Sequence, residues 1–177
     1  MRALFGAHRR GGTGVAREPP SEAEPLLEPI GSGSAALTAL SSAGFDLGVL
    51  ASILAYPRTD SGWRGVEPYA ASFRSGRMVL PLAPSLLLAP SFVVMMASIH
   101  HWPANRRKLL SQIGLTFAAA YAAVVGASYL LQLGTVRQRL LRRETEGLDL
   151  LAMDNPRSIF AALEVAGYTF QNLGLLF

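Results

Sequence analysis

Charged side chains are absent from residues 109–136, a run made up mostly of apolar positions. A helix rises about 1.5 Å per residue, so about 20 apolar residues are enough to cross a bilayer core of ~30 Å. Basic residues flank the run on both sides, as is typical where a spanning helix reaches the lipid headgroups. They are Arg106, Arg107 and Lys108 before it and Arg137 and Arg139 after it. The pattern predicts a transmembrane helix at about residues 109–135.

Three further apolar blocks predict spanning helices at about residues 35–56, 78–100 and 157–177. The first block is the least apolar, because it contains Asp46 and several hydroxyl side chains, and an interfacial amphipathic helix is its alternative interpretation. The second block contains three prolines, of which Pro90 predicts a kink. The predicted fold class is therefore all-α, a polytopic bundle of about four transmembrane helices.

The two ends of the chain differ in character. Residues 1–33 are rich in Gly, Pro, Arg and Glu and follow no helical or strand period, which predicts a disordered polar tail before a transmembrane domain at 34–177. Near the other end, Asn155 and Pro156 are typical of a helix start, since Asn caps free N–H groups and Pro fits the first helical position. No charged anchor follows the last block, which ends at Phe177, so we expect the chain to be truncated at its C-terminus.

The charge pattern indicates which partner the chain contacts. The net charge is +4, and only 16% of the residues are charged. Most of the Lys and Arg residues lie in short segments next to apolar blocks, where lipid headgroups are the usual partner. The sequence therefore predicts contact with a lipid bilayer and not with a nucleic acid. The expected location is the cell membrane. The orientation stays open. The basic loops 57–77 and 137–157 favour one side of the membrane as the inside, whereas the dense basic cluster before residue 109 favours the other.

Few side chains suit catalysis or metal binding. The chain contains no cysteine, which excludes disulfides, thiol nucleophiles and cysteine-bound metals. His100 and His101 are adjacent, so on a helix they point about 100° apart and do not bind one metal ion from one face. The sequence also contains no nucleophile elbow and no glycine-rich phosphate loop. We therefore predict that the protein is not an enzyme and uses no cofactor or metal.

Two carboxyl groups lie inside predicted spanning helices, Asp46 in the first and Glu164 in the fourth. Tyr168 and Gln171 follow Glu164 at helical spacing, so the three share one face. A carboxylate at mid-helix costs about 2.5–3.5 kcal/mol on insertion scales, so it normally faces protein or water. Glu164, Tyr168, Gln171 and Asp46 are therefore the candidate intramembrane polar site. Such a site serves either as a hydrogen bond between helices or as an ion, proton or substrate site.

Small residues recur every four positions on one face of the third predicted helix. They are Gly114, Ala118, Ala122 and Gly126. Ala119, Ala123 and Ala127 form an adjacent row, and Gly44 and Gly48 form one similar pair in the first helix. Small side chains let helix backbones approach closely in lipid, where helices associate through van der Waals contact. The pattern predicts helix-packing faces, with a second copy of the chain or a membrane partner as candidate occupants.

Two segments carry a resemblance to known proteins: residues 88–100, LAPSFVVMMASIH with the short basic loop after it, and residues 144–168, from ETEGL through NPRSIF to the final Gly-Tyr pair. Both segments resemble a family of small multi-pass bacterial integral membrane proteins whose members have no assigned activity. The resemblance covers about residues 63–172. It implies a multi-pass helical fold that continues past the Gly-Tyr pair, and it implies no mechanism.

The function that these patterns favour is that of a non-enzymatic integral membrane protein, a structural or interaction component. The alternative is a small transporter or sensor whose polar site is centred on Glu164. A hydrogen bond from Glu164 to a neighbouring helix favours the structural role. A water-accessible cavity that contains Glu164 and a second ionisable group favours the transporter.

Overall fold

The computed structural model of the protein describes residues 24–56, 62–102 and 105–177. Helices dominate this part of the chain, and it contains no β-strand. The helices are α1 (Glu24–Ala55), α2 (Val66–Ala71), α3 (Ser75–His101), α4 (Lys108–Leu131), α5 (Arg137–Leu141) and α6 (Ile159–Leu176). A π-helical turn at Gln132–Val136 joins α4 to α5, and a short 3₁₀ turn covers Leu148–Leu150. The predicted all-α fold class is confirmed.

Four helical segments of the described chain are long and apolar enough to cross a membrane. They are Glu28–Ala55, Ser75–His101, Lys108–Leu141 and Ile159–Leu176. Large apolar side chains stand on their outer faces, with relative exposures of 73% for Leu54, 71% for Leu109 and 69% for Val165. Soluble monomers rarely expose apolar patches on this scale. The helices therefore fit an integral membrane protein whose outer surface contacts lipid.

The first helix begins earlier than the sequence predicts. α1 starts at Glu24, so residues 24–33 are helical, and the prediction that they belong to a disordered tail is wrong. Apolar Leu26 and Ile30 continue the helical pattern toward the N-terminus. The Pro and Gly residues of this segment made it look non-helical in the sequence. Pro29 lies only about one turn inside the helix, so it removes a single backbone hydrogen bond there. Residues 1–23 lie outside the described residues, and for them the tail stays a prediction.

The last spanning helix begins later than the sequence predicts. α6 starts at Ile159. Ser158 is its N-cap, and its Oγ accepts a hydrogen bond from the backbone amide of Ala161 at 3.1 Å. The start predicted at Asn155 and Pro156 is therefore wrong.

Asn155 closes the turn before α6 instead. Its Oδ1 accepts a hydrogen bond from the backbone amide of Arg157 at 3.0 Å, and its Nδ2 donates to the carbonyl oxygen of Asp149 at 2.7 Å. Asparagine forms helix caps and Asx turns through the same kind of side chain-to-backbone bond, so the sequence alone does not separate the two.

Glycines set the spacing between α1 and α3, which pack antiparallel. A Cβ atom at Gly48 would lie 2.7 Å from the carbonyl carbon of Leu80, and one at Gly44 would lie 3.1 Å from Cβ of Pro84. The two backbones therefore approach more closely than any larger side chain would permit. The glycine pair in the first predicted helix thus lies at a helix contact within the chain.

α3 packs on its other side against α4, and α4 packs against α6. The α1 and α5 C-termini and the α3 and α6 N-termini therefore meet at one end of the bundle. This end, together with residues 62–74 and 142–158, is called the arginine-rich end below.

The segment Lys108–Leu141 is longer than a bilayer core requires. Its 34 residues measure about 51 Å as a helix, roughly 20 Å more than the hydrocarbon thickness. At the arginine-rich end of this segment Val136 and Leu140 are buried, and so is Leu148 after it. Partly buried side chains from α2 and from the loop before α6 pack against the same core. The apolar core therefore extends into the arginine-rich end of the bundle.

Candidate functional site

Glu164 lies in the second turn of α6, about 7–8 Å along the helix axis from Ile159. It is shallower than a helix start at Asn155 would place it. Its half-buried carboxyl group lies close enough to the phenol group of Tyr129 on α4 for an electrostatic interaction. Tyr129 itself is buried, so this contact joins α4 and α6 inside the bundle.

Tyr168 follows Glu164 by one helical turn and reaches the same partner. The side chains of Tyr168 and Tyr129 also lie close enough to interact electrostatically. Tyr129 therefore stands at the centre of a three-residue group, called the Tyr129 cluster below, which comprises Tyr129, Glu164 and Tyr168. Tyr168 is exposed on its outer side, so the cluster opens toward the surface of α6.

The other two candidate polar residues lie at the margin of this cluster. Asp46 is exposed on α1, close enough to Tyr168 for an electrostatic interaction. Gln171 is half-buried on α6, and within the described residues no hydrogen bond joins it to the cluster. The structure thus brings together Glu164 and Tyr168, places Asp46 nearby, and leaves Gln171 outside.

The sequence pattern did not single out Tyr129, although it lies inside the uncharged run. Tyrosine is common in apolar helices, and only the partner helix shows that Tyr129 lies near a carboxyl group. The available signal was its spacing from Gln132, three positions later on the same face. Gln132 is also fully buried, and its Nε2 donates to the carbonyl oxygen of Leu151 at 2.6 Å. Its Oε1 has no hydrogen-bond partner among the described residues.

One part of the small-residue face of α4 packs inside the bundle, and the other part has no neighbouring helix within the described residues. Gly114 and Ala118 are buried where α6 crosses, and Ala122 packs against the apolar core. Gly126 has no heavy atom within 4 Å of the position a Cβ would take. The adjacent row of Ala119, Ala123 and Ala127 is exposed. The first half of the face is therefore occupied within the chain, and the adjacent row points outward.

The histidine pair belongs to the tight turn between α3 and α4. His100 Nδ1 lies 3.0 Å from Ser111 Oγ, and Asn105 Nδ2 donates to the same hydroxyl at 2.9 Å. Lys108 Nζ donates to the carbonyl oxygen of His100. These contacts fix the turn. Within the described residues no group of three His, Asp or Glu side chains is placed to hold a metal ion.

A second candidate site is a cleft of about 620 Å³ at the arginine-rich end. Its walls come from four separate segments: the end of α1, α2 with the residues after it, the start of α3, and the loop before α6. Glu164 does not line it. The sequence marked only one wall, the segment 57–77 with its aromatic and basic side chains, because the other three are brought in by the fold.

Comparisons with known protein families, with curated proteins and with solved structures find no match for this chain. Inference about function therefore rests on the geometry of the two candidate sites.

Proposed function

We propose that the protein is a non-enzymatic, multi-pass component of the cell membrane that acts through helix packing, in a structural or interaction role. The observation that carries this proposal is the contact between Glu164 and Tyr129. Glu164 is the only carboxyl side chain of α6, and it interacts with Tyr129 of α4. A carboxyl group reserved for transport would be expected to line a cavity with a second ionisable group.

The exposed row of Ala119, Ala123 and Ala127 supports the interaction role. Three small residues at four-residue spacing form a shallow strip on the outer face of α4. In lipid, a second helix approaches such a strip closely and gains van der Waals contact. A second copy of the chain or another membrane protein is the proposed occupant.

Energy transfer between labelled copies tests self-association. A single cysteine at Arg142 provides the labelling site, since the chain has no other cysteine. Donor-labelled and acceptor-labelled copies are mixed in vesicles at high lipid dilution. We expect energy transfer in the parent protein and its loss in Ala123→Leu. Ala162→Leu, the same change at an exposed position of α6, should leave energy transfer unchanged. Equal transfer in all three proteins would remove the α4 row as the contact.

Proton and cation flux into the same vesicles tests the alternative function. The proposal expects the parent protein and Glu164→Gln to be equally impermeable. Flux in the parent that Glu164→Gln abolishes would overturn it in favour of a transporter centred on Glu164.

A further inference from the structure

The cleft at the arginine-rich end has a polar rim and an apolar wall. Arg74 and Arg77 lie at its rim, and Val49, Ile53, Met78 and Pro81 form much of its wall. The wall residues lie in the last two turns of α1 and the first two turns of α3. The cleft therefore changes from cationic to apolar over about 10 Å of helix, toward the interior of the bundle.

The two arginines keep hydrogen-bonding capacity for a ligand. Arg74 Nη1 donates to the carbonyl oxygen of Phe73 at 3.1 Å. A guanidinium carries five N–H donors, so this bond leaves most of its donors for other acceptors. Arg77 is half-buried in the first turn of α3. Arginine binds phosphate oxygens in a two-pronged geometry, and burial strengthens such charge-assisted bonds.

The cleft also contains one acidic side chain, Asp154. Asp154 takes part in an interaction of its own within the chain. The lining thus holds two cations and one anion, a balance that favours an anionic group over a zwitterionic one. The apolar wall adds a second requirement, because a water-soluble phosphate would leave it uncovered.

We propose that this cleft binds an anionic phospholipid, with its phosphate between Arg74 and Arg77 and the start of an acyl chain against Val49, Ile53 and Pro81. The volume of about 620 Å³ lies within the range of sites that enclose small ligands, roughly 300–1,000 Å³. The site stands at the level where charged side chains begin, which is where lipid headgroups lie. It does not depend on the helix-packing role proposed above.

The chain contains its own reporter for this site. The Trp63 ring lies 5.6 Å from the ring of Tyr69, and Tyr69 lines the cleft. The only other tryptophan, Trp102, follows α3 at the opposite end of the bundle. In a Trp102→Phe protein, tryptophan fluorescence therefore comes only from Trp63, which lies next to the cleft.

The test uses vesicles of phosphatidylcholine and phosphatidylglycerol in a fixed ratio, with bromine on one lipid or on the other. Bromine quenches nearby tryptophan, and moving it between lipids leaves the membrane composition unchanged. We expect stronger quenching of Trp63 when the bromine is on phosphatidylglycerol. The enrichment should reach about fivefold for each arginine that contacts the phosphate. Arg74→Gln and Arg77→Gln should each reduce it, and the double variant should abolish it.

Three controls distinguish a lipid bound in the cleft from general attraction of anions to a basic surface. Arg142→Gln with Arg157→Gln removes the same charge from exposed positions at the same end and should keep the preference. Ile53→Gln keeps both arginines, makes the wall polar and should weaken it. Inorganic phosphate at constant ionic strength should leave it intact. Equal quenching by both lipids in the Trp102→Phe protein, a preference that survives in the double arginine variant, or displacement by inorganic phosphate would each overturn the proposal.

Discussion

The carbonyl oxygen of Gly174 on α6 occupies the space that a side chain at Gly114 on α4 would need. A Cβ atom at Gly114 would lie 2.9 Å from that oxygen, and a Cβ at Gly174 would lie 3.3 Å from the carbonyl oxygen of Gly114. The two helices therefore touch backbone to backbone at this point. Such contact is a main source of helix association in lipid, where apolar burial contributes little.

Gly114→Ala should destabilise the bundle by about 1–3 kcal/mol, because the added methyl group forces α4 and α6 apart. Gly126→Ala is the matched control on the same helix. It has no heavy atom within 4 Å of the added atom and should stabilise the helix by about 0.5–1 kcal/mol. The free energy of unfolding in mixed detergent measures both. Equal effects of the two substitutions would contradict the contact.

Glu164→Gln should preserve folding, whereas Glu164→Lys should not. Gln keeps a polar group of the same shape beside Tyr129, while Lys places a cation there. Insertion scales place a central Lys about 2.5–3.5 kcal/mol uphill, and the cost here is smaller because Glu164 lies in the second turn of α6, where Lys can snorkel. Expression level and monodispersity in detergent are the measurements.

The same pair can be tested by a double-mutant cycle. Combining Glu164→Ala with Tyr129→Phe should give a smaller loss of stability than the sum of the two single changes, because each change alone removes the same contact. Equal behaviour of Glu164→Gln and Glu164→Lys, or strict additivity in the cycle, would show that the carboxyl group faces solvent or lipid.

Ser158→Ala should cost about 1 kcal/mol by removing the cap of α6. The Ser158 hydroxyl is buried and accepts the amide of Ala161. Thr169→Ala serves as the control, since the Thr169 hydroxyl is exposed and bonds only the carbonyl of Val165 within its own helix. Thermal unfolding followed by circular dichroism compares the two. A larger loss for Thr169→Ala would place the start of α6 elsewhere.

Single-cysteine labelling should show both faces of the membrane. Cysteines at Ser72 and Arg142 should react with an impermeant maleimide from the same side of sealed vesicles, because both lie at the arginine-rich end. A cysteine at Arg106 should react from the opposite side, and one at Val124, in the middle of α4, should stay unlabelled. Labelling of Val124 as fast as Arg142 would refute a spanning α4. The side that labels Ser72 also decides the orientation.

The sequence predicted the spans well because charge and apolar length act locally. The uncharged run after Lys108 becomes α4 and the π turn. The predicted starts of the first and last spanning helices differ from the observed starts at Glu24 and Ile159. Pro, Gly and Asn occur both at helix ends and in turns, so the sequence alone did not locate these starts.

The contacts were less predictable, because each depends on a second helix that the local pattern does not identify. In the sequence nothing links Gly174 to Gly114, and only the fold shows that the two glycines lie against each other. Tyr129 is an ordinary aromatic residue until Glu164 faces it. The cleft has walls from four segments, and the sequence analysis identified only the basic loop 57–77 among them.

Val136, Leu140 and Leu148 extend the apolar core to the end of the bundle where charged side chains begin. At a level where charged side chains begin, lipid headgroups and water replace hydrocarbon as the surrounding medium. At this end the competing medium is water, so burial of apolar groups is driven by the hydrophobic effect and carries a heat capacity change. Within the spans the competing medium is hydrocarbon, and cohesion comes from packing. Urea weakens apolar burial against water, so we expect it to loosen the arginine-rich end before the spanning helices.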